Sequence, residues 1–173
     1  MTSETQTKSG PHRAVPKQIF NAAGVLLEFL ASPEEVGDTV CMIRGTMASG
    51  LVVPLHRHAE IEILYVLDGS IQVYQSWGRS KGWNTTSAGD VVTIHGNVKH
   101  ALRNSGAVPV SLALVTKSEL YAFFRALAKP FDLNQQRAKT SLEAMRGFFE
   151  LAARHGYWLA SPAENAAIGL YIE

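Results

Sequence analysis

Between residues 23 and 116 the apolar residues come in short runs, each closed by a turn signal, and this rhythm limits what the chain can fold into. Runs at 25–30, 40–46, 61–67, 71–75, 91–94 and 108–115 are rich in Val, Ile and Leu and read as strands rather than helices. Asp68-Gly69 falls between two of them and predicts a hairpin, because glycine accepts the positive φ of a tight turn. Asn104-Ser105-Gly106 predicts a second turn. Many short strands at close spacing predict an all-β sandwich or barrel.

The rhythm changes after Lys117. Leu120, Phe123, Phe124 and Leu127 recur at helical spacing, and Pro130 closes that segment. Thr140 and Glu143 form a capping-box pattern ahead of Leu142, Met145, Phe149 and Ala152, with Gly156 as the stop. Ser161-Pro162-Ala163-Glu164 supplies an N-cap, a first-turn proline and a capping glutamate for another helix. The chain therefore divides into a polar N-terminal arm (1–17), a β-barrel (18–116) and a helical extension packed on the barrel (117–173). Phe123, Phe124, Phe148 and Phe149 read as helix-to-barrel packing.

The composition narrows the function. A net charge of +1 with scattered Lys and Arg gives no basic field for nucleic acid. No apolar run reaches the length of a membrane span, and the N-terminal residues carry no apolar signal core, so a soluble cytoplasmic protein is expected. Cys41 is the single cysteine, which excludes an internal disulfide and a thiolate zinc site.

The histidines carry the chemistry. His56 and His58 are two residues apart, so on a strand both imidazoles face one side. Glu62 shares their parity, and His100, on a later strand-like run, can approach across the barrel. Three imidazoles and a carboxylate form a mixed N/O donor set suited to one divalent transition metal (Fe, Mn, Ni, Cu or Zn) and leave about two open positions on an octahedral ion. Glu60 has the same parity as Glu62. It is read here as a rim residue, with a general base or a substitute ligand as the alternatives.

The segment from Gly50 to Gly69, with His56, His58 and Glu62 between them, resembles the first cupin motif, G-x5-H-x-H-x3-E-x6-G, at every fixed position. Gly89 to Asn104 resembles the second, G-x5-P-x-G-x2-H-x3-N, with His95 in place of the proline and Asn97 in place of the glycine. Asn tolerates left-handed backbone better than other non-glycine residues, so the turn survives the exchange. The resemblance implies a double-stranded β-helix, or jelly roll, with His56, His58, Glu62 and His100 as metal ligands inside it. It also implies a homodimer.

Other polar residues have open roles. His95 reads as a surface turn residue, with a cavity acid–base or substrate-binding group as the alternative. Arg44, in an otherwise apolar strand, either faces outward or binds a substrate carboxylate. Tyr65 has the opposite parity to Glu62 and is expected to point away from the metal. His155 suits a helix C-terminus, and His12 lies in the polar arm. The leading function is a metal-dependent, dioxygenase-like enzyme on a small organic molecule, with Glu62 or Glu60 handling a proton. The alternatives are a non-redox isomerase, lyase or decarboxylase, and a non-catalytic binding or sensing protein.

Overall fold

The structure is a computed structural model that describes residues 18–37, 39–131 and 142–171, with backbone alone for 142–146. The N-terminal arm with His12, and the capping box expected at Thr140, lie outside the described residues.

In chain order the elements are β1 (Phe20–Ala22), β2 (Val25–Ala31), α1 (Pro33–Val36), β3 (Val40–Met47), β4 (Val52–Arg57), β5 (Glu62–Asp68), β6 (Ser70–Gln75) and β7 (Gly82–Ser87). Then follow β8 (Val91–Ile94), β9 (His100–Arg103), β10 (Val110–Lys117), α2 (Ser118–Leu127), β11 (Lys129–Pro130), α3 (Leu142–Arg154), β12 (Trp158–Leu159) and α4 (Pro162–Ala167). The strands form two antiparallel sheets, in the orders β11-β1-β2-β3-β10-β5-β8 and β12-β4-β9-β6-β7. From β4 to β10 the chain passes back and forth between the sheets, as in a jelly roll.

The period-2 pattern decides which side chains go inside. Along β3, Cys41, Ile43, Gly45 and Met47 are buried while Met42 and Arg44 face out. Along β5, Glu62, Leu64 and Val66 face in while Ile63, Tyr65 and Leu67 are exposed. Between the sheets Met47, Leu64, Val66, Ile71, Val73, Ile94, Leu102, Val110 and Leu112 form one apolar core. Each such burial contributes about 1.5–3 kcal/mol.

The Asp68-Gly69 turn differs from the expected hairpin. Its flanking strands β5 and β6 belong to different sheets, so the turn is a corner that carries the chain across the barrel. Gly69 suits that corner twice over. Its φ is +79°, and a Cβ there would lie 3.0 Å from the Pro109 carbonyl oxygen. Asn104 forms the expected Asx-type turn, accepting from Gly106 N at 3.0 Å. Its amide nitrogen donates to the carbonyls of Met47 and Val108 and so joins the β3 and β10 ends of the barrel.

Strands β4, β7 and β9 have no counterpart among the apolar runs. β7 is polar, β9 is four residues long, and β4 contains Pro54, which breaks a strand pattern because it lacks an N–H. The β4–β9 register shifts between Val53 and His56, on either side of that proline.

The extension joins both sheets: β11 pairs with β1, and β12 pairs with β4. Leu120, Phe123, Leu151 and Ala152 form a separate cluster beneath α2 and α3, whereas Phe149 is half exposed and does not pack there. Ser161 and Glu164 form the expected reciprocal cap on α4. Buried Asn165 then accepts a hydrogen bond from Leu55 N at 2.9 Å and donates to the carbonyls of Ala160 and Ser161. One side chain thus ties α4 to the strand that carries His56. Asn165→Ala leaves a buried Leu55 N–H unpaired and should cost about 1–3 kcal/mol, read as a lower urea midpoint with unchanged slope.

Candidate metal centre

His56 and His100 face each other as a cross-strand pair, His56 on β4 and His100 at the start of β9. Their ring centroids are 4.1 Å apart. The spacing in the sequence predicts His58 on the same strand, but β4 ends at Arg57 and His58 begins the crossing to the other sheet. It still converges, with its ring centroid 5.0 Å from that of His100 and 5.6 Å from that of His56. One ring nitrogen from each of the three histidines lies within 4.8 Å of the other two, the spacing of a shared ion.

Glu62 is the first residue of β5 and reaches the cluster from the opposite sheet. One carboxylate oxygen is 3.3 Å from His58 Nε2 and the other 3.8 Å from His100 Nε2. The residue is 6% exposed, so this is a charge held inside the barrel.

Backbone carbonyls orient two of the rings. His56 Nδ1 lies 2.7 Å from the Pro54 oxygen and His100 Nδ1 lies 2.8 Å from the Val98 oxygen. A carbonyl only accepts, so each Nδ1 carries the proton and each Nε2 presents a lone pair. Among the described residues the buried side-chain polar atoms without a hydrogen-bond partner are His58 Nδ1 and Nε2, Glu60 Oε2, His100 Nε2 and the Tyr157 hydroxyl. All five belong to this one centre. Buried polar atoms are ordinarily paired, and lone-pair nitrogens beside a carboxylate fit a divalent transition metal.

The electrostatics agree with that donor set. Burial and the nearby His100 and His58 hold His56 at about 3, and burial also lowers His100. Burial works against the Glu62 carboxylate, but the His58 hydrogen bond and the surrounding imidazoles outweigh it and bring it to about 2. Burial works against protonation of His58 as well, and there the two glutamates prevail and raise it.

The turn at His95-Gly96-Asn97 holds the His58 segment in place. Asn97 adopts φ +65°, the left-handed conformation expected of it, and its N–H donates to the His58 carbonyl at 2.7 Å. Gly96 lies so close that any Cβ would run into the Ala59 carbonyl oxygen, a constraint the sequence did not reveal.

One expected role changes and two open ones resolve. Glu60 is not at a solvent rim: it is buried, with Oε2 3.1 Å from His58 Nδ1. It sits behind His58, away from Glu62, because residues 58–61 form a crossing loop to which strand parity does not apply. Arg44 is exposed, donates to Ser111 Oγ at 3.0 Å and lies 3.6 Å from Glu28, so it does not face the cavity. His95 follows inward-facing Ile94, points outward and lies against Trp77 rather than the histidine cluster. Tyr65 points away from the centre, as expected. Tyr157 went unnoticed in the sequence: pairing of β12 with β4 places its ring 5.3 Å from that of His58.

These features define an antiparallel jelly roll built around a polar, histidine-rich interior. Residues 44–116, within the barrel, match the family described as the cupin domain. A structure described as a predicted oxalate decarboxylase from Thermotoga maritima is 26% identical, covering 61% of this chain and 93% of its own, with a TM-score of 0.50. An RmlC-like cupin from Shewanella frigidimarina is 15% identical over 63% of this chain and 92% of its own, with a TM-score of 0.51. The polyketide cyclase RemF from Streptomyces resistomycificus is 13% identical over 87% of this chain and 99% of its own, with a TM-score of 0.50. The last two share the fold alone. No curated protein sequence matches the chain. Among the described residues no helix is long and apolar enough to cross a membrane.

The lowered His56 has a measurable consequence. Between its unfolded value near 6.5 and its folded value of about 3, the unfolded chain binds a proton that the folded chain does not. Stability of the metal-free protein should therefore fall as pH is lowered through that window. His56→Gln should flatten this dependence in melts recorded from neutral to acid pH.

Proposed function

We propose that the protein is a metal-dependent enzyme acting on a small organic molecule, with the ion held by His56, His58, His100 and Glu62. The observation that supports it is the meeting of lone-pair imidazole nitrogens with a buried, charged carboxylate inside the barrel. An ion bound there supplies Lewis acidity and, if redox-active, a site for O₂. Glu62 lies against two imidazoles and neutralises part of the ion's charge.

Dioxygenase-like chemistry is the leading reading, because a mixed His/carboxylate set with open positions suits a redox-active ion. A non-redox decarboxylase or lyase acting on a small acid is the second reading. The likeness to the Thermotoga protein favours it, while the outward Arg44 removes one candidate carboxylate clamp. Elemental analysis should find one transition-metal ion per chain, and His100→Ala should lower that content severalfold or more. O₂ uptake with phenolic or thiol substrates supports the first reading. Turnover of small carboxylic acids in the absence of O₂ supports the second. No metal retained after equilibration with Fe, Mn, Ni, Cu and Zn would overturn both.

We also infer that the working form is a homodimer. Val40, Met42, Ile63, Tyr65, Leu67 and Val91 are exposed on the outer face of the larger sheet. The strand register makes the band contiguous, with Met42 and Ile63 on either side of Val115, and Tyr65 beside Val91. Arg44 and Glu28 flank it with opposite charges, so a two-fold copy meets no net repulsion. Tyr65→Asp should shift the light-scattering mass from two chains to one; a monomeric parent protein would overturn this inference.

A further inference from the structure

The five unpaired buried atoms fall on two sides of His58. Its Nε2 and that of His100 face Glu62, whereas its Nδ1 faces Glu60 Oε2, and the Tyr157 ring, whose hydroxyl is also unpaired, lies 5.3 Å from the His58 ring. His56 and His100 each place Nδ1 against the carbonyl two residues earlier in the chain, so the backbone orients them. His58 lies past the end of β4, where its Nδ1 meets a side chain instead: Glu60, at 3.1 Å.

We propose that Glu60 and Tyr157 are positioning residues for His58, Glu60 accepting the Nδ1 proton and the Tyr157 hydroxyl donating to Glu60, so that Nε2 is the nitrogen turned to the metal. This rests on the metal-centre reading above. A histidine ligand ordinarily gives its other N–H to such a partner, which sets its tautomer and its basicity. A phenol hydroxyl has a proton to donate and a carboxylate only accepts, so between the two the Tyr157 hydroxyl is the donor. Glu60 is well placed as the pivot: it also lines a pocket of about 260 Å³ with Thr39, Ala59, Lys117 and Glu119. Tyr157 comes from the extension, between α3 and β12, and packs on Phe123 with ring centroids 4.8 Å apart. The orientation of one ligand thus depends on residues outside the matched domain.

The test compares Glu60→Gln, Glu60→Leu and Tyr157→Phe in the full chain, with zinc as the probe. Zinc affinity is measured by chelator competition, and the ring-nitrogen chemical shifts of the histidines are read in zinc-loaded protein and in zinc-free protein in mildly alkaline buffer. Glu60→Leu should weaken zinc by about 10–100-fold. It should shift His58 toward mixed tautomers while leaving His56 and His100, held by carbonyls, unchanged. Glu60→Gln keeps an acceptor oxygen and should recover most of the affinity, and Tyr157→Phe should show a smaller loss with the same His58-only signature. Zinc loss in Glu60→Leu without a His58 tautomer change would make Glu60 a direct ligand and overturn the proposal. Equal changes in all three rings would mean general unfolding and overturn it too. If the parent protein retains none of Fe, Mn, Ni, Cu and Zn yet His58 alone responds to Glu60→Leu in the metal-free protein, the metal reading fails and the positioning role stands.

Discussion

A charged carboxylate inside an apolar barrel is the constraint around which the rest of this structure is arranged. Glu62 is buried from water, and an isolated ion in that setting carries a large desolvation cost. The imidazoles of His58 and His100 meet it directly, and His56 stands behind His100 across the β4–β9 ladder. Removing the carboxylate would leave inward-facing nitrogens with nothing to bind. Removing the histidines would leave a buried charge. Each half compensates the other, and all the unpaired buried side-chain atoms found among the described residues collect here.

The fold delivers these groups from three different directions. Two histidines come from neighbouring strands of the smaller sheet, Glu62 comes from the larger sheet, and His58 sits on the chain that crosses between them. A crossing loop is normally the least constrained part of a barrel. Here it is fastened by the Asn97 hydrogen bond to His58 and by the close approach of Gly96 to Ala59. The extension adds a second restraint, with β12 completing the edge of the smaller sheet beside His56 and Asn165 bonded to Leu55. The 117–173 segment is thus part of the support of the site as well as a cover for the barrel.

Much of the site was legible in the sequence, and for a definite reason. The spacing of the residues that resemble the cupin motifs is a property of the sequence, and that resemblance placed His56, His58, Glu62 and His100 together. Asn97 was legible too, because few residues other than glycine tolerate its backbone conformation. Glu60 was misplaced by strand parity, since parity ends where the strand ends, at Arg57. The Asp68-Gly69 turn was recognised as a turn, but a turn's residues do not say whether the strands on either side pair with each other.

The sequence by itself determined that the chain forms short strands followed by capped helices, and its resemblance to the cupin motifs marked His56, His58, Glu62 and His100 as candidates for one site. Local periodicity, backbone preference and motif spacing are enough for that. Only the tertiary structure decided that Arg44 and His95 look outward, that Glu60 stands behind His58, and that Tyr157 joins it from the end of α3. Those outcomes depend on sheet order and on contacts between residues far apart in the chain, where no local pattern carries the information.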